Sequence, residues 1–325
     1  MEENDNFLNN ITENFETMVT GIPAPLRKNF WKAFSQLCSA VVEIPISYLE
    51  GKSDLIRETN NARKEIIRKS GQNLSEKINI PQIYSDKAVS KYASKIIREQ
   101  INLDDITNKA MQELSVKNLN QEEVTDISED WLNEFENIAK LKTSEDMKLA
   151  FSKILVGEIK SPGKFSIRSL MILSQLNAEV SKYFQIVRNL SSTVKHDNII
   201  LDSRVILFNN SFKCLEKYGL TLYHLSVLQE YGLIISELHT TKPYEICIGN
   251  EFNTVQLPFT FQNIDYGLLP IDRSKYNGNF FVTGIKLTKA GEELLEIIPL
   301  IESDLYKNDL IEFYRAQNLR MAFIE

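Results

Sequence analysis

The sequence predicts a mainly α protein: N-terminal helices and a helical bundle, followed by an α+β, winged-helix-like C-terminal domain. Three observations predict it. Apolar residues recur at helical spacing from Arg27 to Val187, with capping and breaking residues between the runs. Runs rich in β-branched and aromatic residues follow only after Gly232. Finally, 12 Gly and 9 Pro among 325 residues are too few for a loop-rich all-β chain. The expected division is 1–118, 119–203 and 204–325.

In the first segment, Arg27–Tyr48 is apolar on most faces and reads as a helix. Ser53–Leu74 follows, with Leu55, Ile56, Ala62, Ile66 and Ile67 as its apolar set. Ser85–Gln100 and Asp104–Leu114 are read as two further helices with charged solvent faces. Within Phe30–Leu49, Lys32, Glu43 and Pro45 interrupt a run that is long enough to span a membrane. Charge at that depth is costly, so membrane contact is disfavoured. Phe30, Trp31, Phe34 and Leu37 are instead expected to form a surface for a protein partner or a second copy.

The second segment is the most patterned. Asp126-Ile-Ser-Glu129 reads as a capping box opening a helix with Trp131, Phe135, Ile138 and Ala139 on one face. Ser144 precedes a second helix whose stripe runs Met147, Ala150, Phe151, Ile154, Leu155 and Ile159. Ser161-Pro162-Gly163 must end it, because proline lacks a donor and glycine accepts positive φ. Ser166 and Asn177 cap the two helices that follow. Glu158 falls on the apolar stripe and needs a partner, since an unpaired buried carboxylate is strongly disfavoured. Arg168, or the amides at the start of the Ser166 helix, could supply it. Glu158, Pro162, Gly163, Ser166 and Arg168 are therefore read as a structural corner.

The third segment begins with helices at Ser211–Tyr218 and Leu222–Tyr231, stopped by Gly219 and Gly232. Leu233-Ile234-Ile235, Tyr244–Ile248, Thr254–Phe261 and Phe280–Leu287 have strand character, with Asn277-Gly278 as a turn. Thr288 caps a last helix. This is the order of a winged-helix-like module, which invites a DNA-binding reading. The chemistry disfavours it. The net charge is −7, and Leu222–Tyr231 holds no Lys or Arg to neutralise phosphate. Lys213, Lys217, Lys286 and Lys289 could make a modest patch.

No glycine-rich phosphate loop, His-Glu-x-x-His or Cys-x-x-Cys occurs, and only three Cys and a few His are present. A zinc site from His224, His239 and Cys247, or a nucleophilic pair of Cys214 and His224, lacks supporting spacing. No cofactor, metal or catalytic residue is expected. The odd, scattered cysteines and the polar, acidic N-terminus point to the cytoplasm.

The residues Trp131 and Phe135, then Glu158-Ile159, Pro162-Gly163, Ser166 and Arg168, also carry a resemblance. Over Asp126–Phe184 the chain resembles a bacterial family known only as a domain of unknown function. More distantly it is similar to the abortive-infection alpha family of phage-resistance proteins. The resemblance implies a bacterial cytoplasmic protein with a role in antiphage defence, and no catalytic residue. The expected function is thus a non-enzymatic interaction or regulatory protein. The alternatives are a winged-helix DNA-binding regulator and a membrane-perturbing effector that uses the first apolar helix.

Overall fold

The structure is a computed structural model that describes residues 21–38, 82–116, 125–196, 199–209, 211–250, 254–275 and 279–324. The expected helix at Ser53–Leu74, the apolar run beyond Cys38 and the Asn277-Gly278 turn lie outside these residues. The chain divides into two compact units, Met1–Leu170 and Met171–Glu325. The expected 119–203 bundle is therefore split between the units.

The described part of the first unit holds α1 (Ala24–Leu37), α2 (Gln82–Val116), α3 (Glu129–Ala139) and α4 (Glu145–Lys160), and α5 (Ile167–Gln175) begins in it. The two helices expected over 85–114 are one, because no proline or glycine interrupts Gln100–Asp104. At 35 residues, α2 is about 52 Å long. Its second half buries Leu103, Ile106, Ala110 and Leu114, a face repeating every three or four residues, and packs against α1, α3 and α4.

Caps fix where the helices start. Ser144 accepts from the Met147 amide at 3.4 Å, and Asn177 from Val180 at 2.8 Å. Such caps contribute about 1 kcal/mol each. At α3 the cap is Ser128, which accepts from the Trp131 amide, and not Asp126 as the sequence suggested. Asp126 pairs with Lys28 at 2.7 Å instead.

The second unit contains α6 (Ala178–Leu190), β1 (Ser191–His196), β2 (Ile199–Ile206), α7 (Lys213–Glu216), α8 (Leu222–Glu230) and β3 (Thr240–Pro243). Then come β4 (Phe259–Phe261), β5 (Ile264–Pro270), β6 (Phe281–Lys286), α9 (Lys289–Leu295), α10 (Asp304–Ala316) and β7 (Leu319–Phe323). Its strands form one seven-stranded sheet in the order β3-β6-β2-β1-β4-β5-β7, every neighbouring pair antiparallel. The sheet is larger than the sequence suggested. β1 and β2 come from the part read as bundle, β5 and β7 were not foreseen, and Glu245–Cys247 is a 3-10 turn where a strand was expected. At the β4–β5 hairpin, Gln262 and Asn263 both take positive φ, 49° and 61°, as a two-residue turn of this twist requires. One hydroxyl joins helix to sheet: Tyr306 on α10 donates to the Ile206 carbonyl at 3.1 Å and accepts from the Ile206 amide at 3.0 Å.

Candidate functional site

The corner foreseen after α4 exists, with a different partner for its acid. Glu158 is only 1% exposed. One of its carboxylate oxygens accepts from the Gly163 amide at 2.6 Å and the other from the Phe165 amide at 3.0 Å. Gly163 stands at φ +85°, so the turn places both donors toward the end of the helix they follow. Arg168, the other partner considered, is exposed and takes no part in these bonds. The Ser166 hydroxyl accepts from the Ser169 amide at 3.3 Å and starts α5.

Aromatic packing closes the corner. The Trp131 indole donates to the Phe165 carbonyl at 2.7 Å and stacks on Phe135 at 5.1 Å. A Cβ at Gly157 would lie 2.5 Å from the Phe165 ring, so only glycine admits that ring against α4. A cleft of about 370 Å³ opens here, lined among others by Ser128, Trp131, Glu158, Gly163 and Ile167. Both oxygens of its one buried acid are engaged by backbone amides of the following turn.

The proposed partner surface on α1 is corrected by the structure. Phe30, Trp31, Phe34 and Leu37 are all buried within the first unit, with their rings in mutual contact at 5.4 to 5.9 Å. Polar bonds hold α1 in place: Asn29 donates to Thr125 O at 2.8 Å, and Lys32 to Ile127 O at 2.6 Å. An apolar helix face was correctly read, but it is core.

Exposed apolar residues lie instead on α2 between Tyr92 and Ile101. Tyr92 is 60% exposed, Ile97 60% and Ile101 57%. Tyr92 continues, eleven and eighteen residues back, the face that Leu103 and Ala110 bury farther along. Lys87, Lys91, Lys95 and Arg98 share another face and are exposed. The sequence predicts an ordinary solvated helix here, and Tyr92, Ile97 and Ile101 are its exposed large apolar residues among those described.

In the second unit the structure assembles a buried polar cluster that sequence reading missed. Asp202 and Arg204 lie two apart on β2, hence on one face, and pair bidentately at 2.5 and 2.8 Å. Arg204 Nη1 also donates to Thr240 O at 2.8 Å and Val282 O at 3.0 Å, and the Tyr244 hydroxyl donates to Asp202 at 3.0 Å. One ion pair thus joins β2, β3 and β6. Burial, with the Asp202 charge adding to it, pushes the Tyr244 hydroxyl far above its ordinary range and the Cys247 thiol up to about 12. Neither is a nucleophile at neutral pH. The signal was Asp-x-Arg inside the β-branched run Ile199–Ile206. On α9, Glu292 is 6% exposed, and burial pushes its carboxyl up to about 7 against the pull of Lys286 and Lys289.

Of the expected basic patch, Lys217 is committed to Asp309 at 2.7 Å and lies over the Tyr218 ring. Lys213 and Lys289 are exposed, and Lys286 is half-buried. His224 caps α8 together with Thr221, and His239 lies against Phe212 at 4.2 Å. Among the described residues no group of three or more His, Cys, Asp or Glu could hold a metal ion, and no helix is long and apolar enough to cross a membrane.

A family model described as a protein of unknown function, DUF2806, matches residues 86–311, well over half of the chain. No curated protein and no solved structure matches it.

Proposed function

The chain belongs to the DUF2806 family of proteins of unknown function, and from that starting point we propose that it is a non-enzymatic, cytoplasmic bacterial interaction protein. In this reading it acts in antiphage defence of the abortive-infection kind. The observation that carries it is α2, where Ile97 and Ile101, four apart on one face, stand in solvent beside Arg98, and Tyr92 is exposed on the other side of the helix. Large apolar side chains standing in solvent mark interaction sites, and the adjacent cations select a partner with an acidic rim. The buried acids support the same reading, since Glu158 and Asp202 are each spent on internal hydrogen bonds.

The test is phage plating on a bacterial host with and without the gene, with a Tyr92→Ser/Ile97→Ser variant alongside. Protection by the wild type and its loss in a variant that melts normally is the expected result. Undiminished protection by the variant would overturn the assignment of the surface. A second reading, a winged-helix-like DNA-binding module, is favoured by the order α7, α8, the Ile234–Leu287 bridge and the β3–β6 pair. It predicts duplex binding that falls steeply with salt.

A further inference from the structure

A second cleft, of about 330 Å³, opens in the second unit between the β1–β2 pair and the chain that leaves β3. It sits at a β-bulge. Val194 faces Asp202 and Lys195 faces Ile200, so Leu201 has no partner on β1. In a regular strand neighbouring side chains point to opposite faces, yet Leu201 and Asp202 both line this cleft. A bulge re-aims side chains in this way, and bulges are frequent beside binding sites.

The lining passes from apolar walls to a polar floor. Val194, Leu201 and Ile246 make the walls, and the last two are open to solvent at the mouth. Asp202 and Tyr244, both fully buried, make the floor. The chemistry of that floor is one-sided. The Asp202 carboxylate receives two hydrogen bonds from Arg204 and one from Tyr244, whereas a carboxylate accepts about four. The Tyr244 hydroxyl spends its only proton on Asp202 and keeps its own acceptor capacity. The floor can therefore accept a hydrogen bond but has no proton to offer. Nor does it call for a cation, because Arg204 already balances Asp202. At the rim Lys242 and Glu245, both exposed, cancel in charge.

We propose that this cleft binds a small neutral molecule with an apolar body and one hydroxyl or N–H group. The body lies against Val194, Leu201 and Ile246, and the donor points to the Asp202 and Tyr244 oxygens at the floor. An apolar cavity with a few convergent polar groups is the usual form of a ligand site, and this volume is at the small end of the range. The site binds and does not react, since the Tyr244 hydroxyl is held far above its ordinary range and is no nucleophile at neutral pH. It is independent of the α2 surface.

The test is a methyl-detected NMR titration of the full chain with benzyl alcohol, benzyl methyl ether and benzylamine. The three probes share a ring and carry a neutral donor, no donor and, at neutral pH, a cation. Benzyl alcohol is expected to shift the methyl signals of Val194, Leu201 and Ile246 to saturation. The ether should bind about tenfold more weakly, the effect of one unmade buried hydrogen bond, and the amine should also bind more weakly than the alcohol. Leu201→Trp fills the cleft from its mouth and should abolish the shifts with an unchanged melting curve. If that variant melts early, the comparison of alcohol with ether on the wild type decides alone. No saturable shift at these methyls with benzyl alcohol would overturn the proposal, as would equal affinity for alcohol and ether. Tightest binding of the amine, or binding retained in a normally folded Leu201→Trp, would overturn it as well.

Discussion

Glu158 in the first unit and Asp202 in the second are both carboxylates buried to about 1% exposure, and the chain satisfies them by opposite means. Glu158 uses two amides five and seven residues ahead, in the turn that follows its own helix. Asp202 uses a guanidinium and a phenol, and the guanidinium in turn holds carbonyls on two other strands. The local solution needs no second charge and costs little to assemble. The long-range one buries two ions, whose desolvation is repaid only while every hydrogen bond is in place. A local lock fixes one corner, whereas the ion pair ties together strands far apart in sequence.

The comparison can be broken first at Arg204. Arg204→Met leaves Asp202 charged and unpaired in the core and frees two buried carbonyls, so unfolding in urea should show a loss of about 3–5 kcal/mol. The corner should suffer less. Glu158→Gln keeps the shape but offers one acceptor oxygen to two amides, and a loss of about 1–3 kcal/mol is expected in the same assay. The smallest effect depends on pH. Burial holds the Glu292 carboxyl at about 7, above its unfolded value, with Asp202 and Glu293 adding to that rise and Lys286 and Lys289 opposing it. The folded state then binds the extra proton, so this residue's contribution is full below the unfolded value and is lost as pH rises through about 7. Glu292→Gln should leave the melting temperature unchanged near the acid end of that window and raise it above neutrality. A rise of the same size at both ends would show that packing, not charge, governs the site.

These two sites were not equally legible in the sequence. The corner was, because its signals are local: an acid on an apolar stripe, a Pro-Gly break and a serine cap lie within nine residues. The partner of the acid was not: Arg168 or the amides at the start of the Ser166 helix were the expected choices, and the amides of Gly163 and Phe165, in the turn before that helix, are the donors. The Asp202 cluster was not, since its members are spread from β2 to Tyr244 and β6, and only the sheet brings them together. β1 and β2 were hidden for a related reason. Ser191-Ser-Thr-Val-Lys follows a helix without a break and reads as polar, yet both its faces are covered in the centre of the sheet. The apolar face of α1 shows a further limit: periodicity reveals that a face is covered, not whether the cover is the chain itself or a partner.

The most direct measurement is amide hydrogen exchange at Gly163 and Phe165 in the wild type and in Glu158→Gln. If Glu158 is a structural lock with no free oxygen for chemistry, both amides are strongly protected in the wild type. They should then exchange at least tenfold faster in the variant, while amides in the middle of α3 keep their rates. Rapid exchange at both amides in the wild type would contradict this. It would leave Glu158 an unengaged buried acid facing the cleft beside Trp131, which is what an interaction protein does not need and an enzyme would.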